Sequence, residues 1–208
     1  MKIIVAGSGG GVGGALVEWL GNDHDVLRIQ RRKPDPIQSK KVKWIQQDVG
    51  DPWKFKEKGD WVIIAAAQHN NSRIQPTVNN MVRTNVLGPA RALEYCQSRG
   101  AQGLIYFSTV VVHGTVRDSV LDEDTPISEP DFYGATKYLG ERVLENADVP
   151  TLTIRLPGVV GPSLWQNRPW VGKVLDRLRA GQKVDYYNGN SLFNNVIDFR
   201  NICKLCGY

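Results

Sequence analysis

The sequence predicts an α/β fold, a doubly wound parallel sheet with helices on both faces, followed by a small or truncated C-terminal subdomain. Three observations carry that expectation. Short apolar or β-branched runs at residues 2–6, 25–30, 43–46, 61–65, 103–108 and 151–156 alternate with helical patterns at 11–20, about 77–99 and about 132–146. The runs are apolar throughout, as strands covered on both faces must be. The first of them leads into Gly7-Ser8-Gly9-Gly10-Gly11-Val12-Gly13, which opens an amphipathic stretch ending at Leu20.

That loop is the first functional signal. Glycine is needed where the chain turns sharply out of a strand, where backbone must approach a pyrophosphate, and where a helix lies tightly on a sheet; Gly7, Gly10 and Gly13 have that spacing. The amino-terminal turn of the helix, with Gly11 and Val12, supplies N–H groups for phosphates. The context of strand, loop and helix therefore predicts a Rossmann-like dinucleotide-binding unit.

Each later element is justified in turn. Gly88-Pro89 interrupts the second long helical pattern, where the missing N–H and the ring clash predict a kink. After Gly161-Pro162 the pattern loosens into loops around one helix at about 171–180, so a boundary is placed there: residues 1–162 as the nucleotide-binding domain, 163–208 as the start of a curtailed second subdomain.

Composition bounds the remaining classes. The chain has 208 residues and a formal net charge of +5, enough length for one domain with a real core. The basic residues are dispersed, and the densest cluster, from Arg28 through Arg31, Arg32 and Lys33 to Lys43, falls where an acidic cofactor needs positive charge. No nucleic-acid partner is expected. Three scattered cysteines build no disulfide framework, and no apolar run is long enough to cross a bilayer, so a cytoplasmic protein without a membrane partner is expected. His24 and His69 have no ligand partners at useful spacing, and Cys203-Lys-Leu-Cys206 lacks a second ligand pair; no metal is expected.

Tyr133-Gly-Ala-Thr-Lys137 places a phenol and an ammonium one turn apart on a helix face, where the positive charge is expected to lower the phenol's pKa. Ser108-Thr109 ends a strand at the carboxyl edge of the sheet, where ligands of open α/β sheets bind. A hydroxyl, a phenol and a lysine can together polarise a carbonyl beside a nicotinamide.

In these residues the chain resembles the extended short-chain dehydrogenase/reductases, the NAD-dependent epimerase/dehydratase family. The matching elements stand in family order: the three glycines; Gln47-Asp48-Val49; Ala65-Ala66-Ala67; Asn85-Val86-Leu87-Gly88; Ser108-Thr109 with Val112-His113-Gly114; Tyr133 to Lys137; and Arg155-Leu-Pro-Gly-Val-Val-Gly-Pro162. The resemblance implies Thr109, Tyr133 and Lys137 as the catalytic set. It also implies that Asp48 and Val49 meet the adenine and that Ala65, Ala66 and Ala67 line the cofactor by backbone. Asn85 belongs to the cofactor set, Lys137 would hold the nicotinamide ribose, and Pro157 and Val160 would approach the carboxamide. Relatives commonly dimerise through the helices carrying Asn85 and Tyr133, so a homodimer is expected.

The departures matter as well. Where NAD-preferring relatives usually end the second strand with an acidic residue, this chain has Gln30-Arg31-Arg32. Two guanidiniums would pair with a 2′-phosphate, so NADP(H) is expected, with NAD as the alternative; the arginines could instead simply solvate a loop running into Pro34 and Pro36. His113 stands where tyrosine is common and is expected to pack at the strand end. Relatives usually run on for about another hundred residues, and the arginine that often precedes the family's counterpart of Phe193 is replaced by Ser191-Leu192. Val110 and Val111 occupy the place of a dehydratase acid, which disfavours dehydration. The reading is an NAD(P)-dependent oxidoreductase or epimerase acting on a small molecule: a sugar, a nucleotide sugar or a similar hydroxy or carbonyl compound. The alternative is a cofactor-binding sensor or scaffold without turnover.

Overall fold

The computed structural model describes residues 1–35, 39–69, 77–116, 120–161, 170–185 and 196–206. Six strands, β1 (Lys2–Ala6), β2 (Asp25–Gln30), β3 (Val42–Gln46), β4 (Trp61–Ile64), β5 (Gly103–Thr109) and β6 (Thr151–Leu156), form one parallel sheet in the order β3-β2-β1-β4-β5-β6. The order reverses between β1 and β4, which opens a crevice at the carboxyl ends of those strands. All six expected strands form, with three ends shifted by one residue: Val42 joins β3, Ala65 leaves β4 and Thr109 joins β5.

Successive strand residues feed opposite faces, and both faces are covered. Ile4, Ala6, Ile29, Ile64 and Tyr106 pack beneath one pair of helices, α3 (Gly88–Arg99) and α4 (Phe132–Leu144), through Ala92, Tyr95, Cys96 and Leu144. Ile3, Val5, Val26, Ile63 and Phe107 pack beneath α1 (Gly11–Leu20) and α6 (Phe199–Cys206), through Leu16, Val17, Ile202 and Cys203. Each such aliphatic side chain contributes about 1.5–3 kcal/mol by leaving water, which is why these strands read as unbroken apolar runs.

The helix expected at 77–99 is continuous but changes pitch. It runs as α2 (Val78–Val82), capped by the Thr77 hydroxyl on the Asn80 N–H, then a π turn over Arg83–Leu87, then α3. The disturbance expected at Gly88-Pro89 takes the form of this wider turn, in which the Gly88 N–H donates five residues back to the Arg83 carbonyl and Pro89 falls in the first turn of α3. Pro89 leaves the Asn85 carbonyl without its usual donor; the Tyr106 hydroxyl supplies one at 3.2 Å. A Cβ at Gly140 of α4 would sit 2.4 Å from that carbonyl, so glycine there lets α4 close on the π turn.

Beyond the sheet lie a parallel pair, β7 (Gly158–Val160) and β8 (Val196–Asp198), and helix α5 (Trp170–Arg179). Sequence reading anticipates α5 but not β7, β8 or α6. The expected boundary after Pro162 and the stretch Ser191-Leu192-Phe193 lie outside the described residues.

Candidate active site

The glycine loop forms the floor of the crevice. Gly7 has φ +88°, and a Cβ there would lie 2.4 Å from the Ala66 backbone, so the loop crosses directly over the end of β4. A Cβ at Gly13 would lie 2.4 Å from the Gly7 carbonyl, which fixes α1 against the loop. Gly10 is different: it is exposed, and a Cβ there would meet only the Gly7 carbonyl, at an ordinary 3.4 Å. No side chain caps α1, so the first-turn amides of Gly11, Val12 and Gly13 are left for an external acceptor. An uncapped helix start behind an open glycine fits the pyrophosphate of a dinucleotide.

The walls come from the neighbouring strand ends. Gln30 is buried at the end of β2, and Arg31 and Arg32 follow it in solvent. Asp48 is half-buried, accepting from the Gly50 N–H at 2.9 Å and lying 3.5 Å from Arg83 Nε, while Val49 is buried under Gly88. Ala65, Ala66 and Ala67 leave β4 with half-buried, buried and exposed side chains in that order. Asn85 is fully buried: its amide donates to the Gln68 carbonyl and the Thr136 hydroxyl and accepts from the Gln68 N–H, each at 2.9 Å. It thereby ties the Ala67-Gln68 segment to α4. Pro157, just before β7, and Val160, its last residue, are half-buried.

Thr109 and Tyr133 are brought together and Lys137 stands one turn further on. Asp131 caps α4 by accepting from the Gly134 N–H at 2.7 Å, which sets Tyr133 in the first turn. Thr109 accepts from the Val111 N–H at 3.3 Å, and its side chain lies near enough to the Tyr133 phenol to act on its pKa. Burial pushes that phenol up to about 12, helped by the charge of Asp131 and opposed by Thr109. The His69 ring stands edge-on to Tyr133, centroids 5.9 Å apart, and burial lowers its basicity.

Lys137 corrects one expectation. Its ammonium is fully buried, donates to the Phe107 carbonyl at 2.6 Å and lies 4.0 Å from the centroid of the Tyr106 ring. Burial brings its pKa down to about 7, with Glu141 pulling the other way, and the Tyr133 phenol is raised where a nearby full charge was expected to lower it. Desolvation is the largest influence on both groups, and the charge acting on the phenol is that of Asp131, which raises its pKa, rather than that of Lys137. An ammonium has three N–H donors, and Phe107 takes one of them. Ser108, beside this set, is buried with its hydroxyl unpartnered among the described residues.

Several residues that serve the site escape sequence reading. Tyr106 supports both the Lys137 ammonium and the π turn. His113, buried as expected at the strand end, contacts the Thr125 carbonyl through Nδ1 at 2.9 Å and Arg155 Nη1 through Nε2 at 3.1 Å. Because arginine only donates, Nε2 is the acceptor and Nδ1 carries the proton. Arg155 in turn holds Glu141 with Nη2 at 2.7 Å. The spacing of Lys137 and Glu141, four residues apart on α4, was the available signal.

The model of the NAD dependent epimerase/dehydratase family matches residues 3–193. The chain belongs to that family. Among curated proteins it is 29% identical to a 2-alkyl-3-oxoalkanoate reductase of Stenotrophomonas maltophilia over 194 residues, covering 88% of this chain and 57% of the relative. It is also 29% identical to a UDP-glucose 4-epimerase of Lactobacillus helveticus over 163 residues, covering 71% and 47%. The chain thus spans about half the length of these relatives. Among solved structures it resembles the Bordetella bronchiseptica enzyme WbmG in complex with NAD, with a TM-score of 0.82, 24% identity, and coverage of 99% of this chain and 67% of that one. This last likeness is one of fold.

Proposed function

We propose that the protein is an NADP(H)-dependent oxidoreductase or epimerase that moves a hydride between a nicotinamide and a secondary alcohol or ketone. The observation that carries the proposal is the pairing of Thr109 with Tyr133 at the carboxyl edge of β5, one helical turn from the buried Lys137. Gly7, Gly10, Gly11, Val12 and Gly13 would hold the pyrophosphate, Asp48 and Val49 the adenine side, and Ala65 to Ala67 the cofactor's flank. Pro157 and Val160 would lie near the carboxamide. Asn85 would act through Gln68, keeping the wall in place. The bound cofactor supplies the hydride donor or acceptor.

The chain's own groups supply the proton. Thr109 would polarise the substrate oxygen, and Tyr133, protonated at neutral pH, is poised to donate to it during reduction. Lys137 keeps donors beyond the one given to Phe107 and would offer one to the nicotinamide ribose. The two curated relatives support both a carbonyl reductase and a nucleotide-sugar epimerase; they do not favour the sensor reading. NADP(H) is preferred over NAD on the strength of Arg31 and Arg32. A cytoplasmic homodimer fits the exposed Leu87 and Leu139, the first beside α3 and the second on α4, and light scattering would test it: one chain's mass at high micromolar concentration would contradict it. The functional test is turnover with NADPH or NADH against a panel containing a 2-alkyl-3-oxoalkanoate and UDP-glucose. Turnover of either substrate class supports the proposal; cofactor binding with no turnover across the panel would overturn it in favour of the sensor.

A further inference from the structure

The end of β2 carries a polar network that the site description leaves unused. Arg28 lies two residues before Gln30, on the same face of the strand, and is 8% exposed. Among the described residues it forms no ion pair. Its Nη1 donates to the Asp35 carbonyl at 3.3 Å and its Nη2 to Gln30 Oε1 at 3.4 Å, and its buried Nε has no partner among the described residues. Gln30 Oε1 also accepts from the Ser8 hydroxyl at 2.8 Å, and Gln30 Nε2 donates to the Arg32 carbonyl at 2.7 Å. Only one orientation of the Gln30 amide satisfies all of these partners, because two donors face one end and a carbonyl the other. The network joins the glycine loop, through Ser8, to the segment that presents Arg31 and Arg32.

Two consequences follow. A carboxylate at position 30 could not donate to the Arg32 carbonyl, so the segment would lose its closest tie. It would also neutralise Arg28, whereas the neutral Gln30 leaves a guanidinium charge beneath the β2 end. Burial lowers the basicity of Arg28, yet a guanidinium remains charged at neutral pH. Arg28 lines a cleft of about 170 Å³ with Lys33, Lys43, Trp44 and Asp35, and the carboxylates of Asp35 and Glu18 partly offset its charge. We propose that Arg28 is the positioning residue for cofactor choice: acting through Gln30 and the Asp35 carbonyl, it sets Arg31 and Arg32 to receive a 2′-phosphate. The inference rests on the NADP(H) reading above.

Calorimetric titration of adenosine 2′,5′-bisphosphate and of AMP separates the two. The wild type should prefer the bisphosphate, and Arg31→Ala/Arg32→Ala should erase that preference. Arg28→Met should reduce it about tenfold, the worth of one charge-assisted bond, with AMP affinity unchanged. Arg28→Lys, which keeps the charge, should recover part of it. Arg28→Gln, which removes the charge and leaves Gln30 and its bond to the Arg32 carbonyl in place, should lower the preference as well and decides the matter if Arg28→Met does not fold. A wild-type preference in Arg28→Met, or an equal loss for both probes, would overturn the role of Arg28 and leave the NADP(H) reading standing. No preference in the wild type, or none lost in the double variant, would overturn both.

Discussion

The glycine cradle and the Tyr133 face share one edge of the sheet but are made of different material. The cradle is backbone: an uncapped helix start, a loop at φ +88°, and two glycines whose missing Cβ atoms let chain segments approach within contact distance. The Tyr133 face is side chain: a phenol beside a threonine, an ammonium on a carbonyl and an aromatic ring, an arginine between a histidine and a glutamate. Backbone sites bind without titrating, since amides carry no proton to lose. Side-chain sites can exchange protons but need burial and partners to set their pKa values. On the proposed function, binding falls to the first region and chemistry to the second.

The sharpest break between them is Tyr133→Phe. The ring and its packing remain, so NADPH affinity should stay near wild type while turnover falls by about 10²–10⁴-fold, as measured by steady-state kinetics on whichever substrate the panel identifies. Gly7→Ala comes next. Its Cβ would overlap the Ala66 backbone in a conformation that L-residues avoid, so a loss of roughly 2–3 kcal/mol in urea unfolding is expected, together with loss of the cofactor. Gly140→Ala should cost roughly 1–3 kcal/mol by pushing α4 off the π turn, and should lower turnover more than cofactor affinity, because the cradle does not include α4.

A further effect lies in the pH dependence of stability. Lys137 titrates near 7 in the fold against 10.5 when free, so between those values the unfolded chain binds the extra proton and stability rises with pH. Relative to Lys137→Met, wild type should gain up to about 1.4 kcal/mol per pH unit in that window and nothing below it. The buried tyrosines and cysteines act in the opposite sense at high pH, and the comparison with the methionine variant cancels them. A flat difference in urea midpoints from pH 7 to 10 would contradict the buried-ammonium description.

Legibility follows the same division. The strands, α1, α4 and the cradle could be read from the sequence because apolar runs and glycine spacing are local properties, fixed by what one segment must do. Tyr133 and Lys137 were legible as a helical i, i+4 pair for the same reason. What faces Lys137 was not: the Phe107 carbonyl and the Tyr106 ring come from a strand thirty residues away in sequence, and no periodicity records that meeting. The π turn was hidden likewise, since Pro89 signals a disturbed helix while the Tyr106 hydroxyl that repairs it belongs to β5. Strands β7 and β8, three residues each, are too short to carry a pattern.

The separation of binding from chemistry is tested most directly by titrating NADPH into three proteins side by side: wild type, Gly10→Ala and Tyr133→Phe. A Cβ at Gly10 meets only an ordinary contact within the protein, so this variant should melt with wild type yet bind NADPH at least about tenfold more weakly, because on the proposed function the pyrophosphate lies against this exposed backbone. Tyr133→Phe should bind as wild type does. Wild-type affinity in Gly10→Ala, or a comparable loss in Tyr133→Phe, would contradict the account.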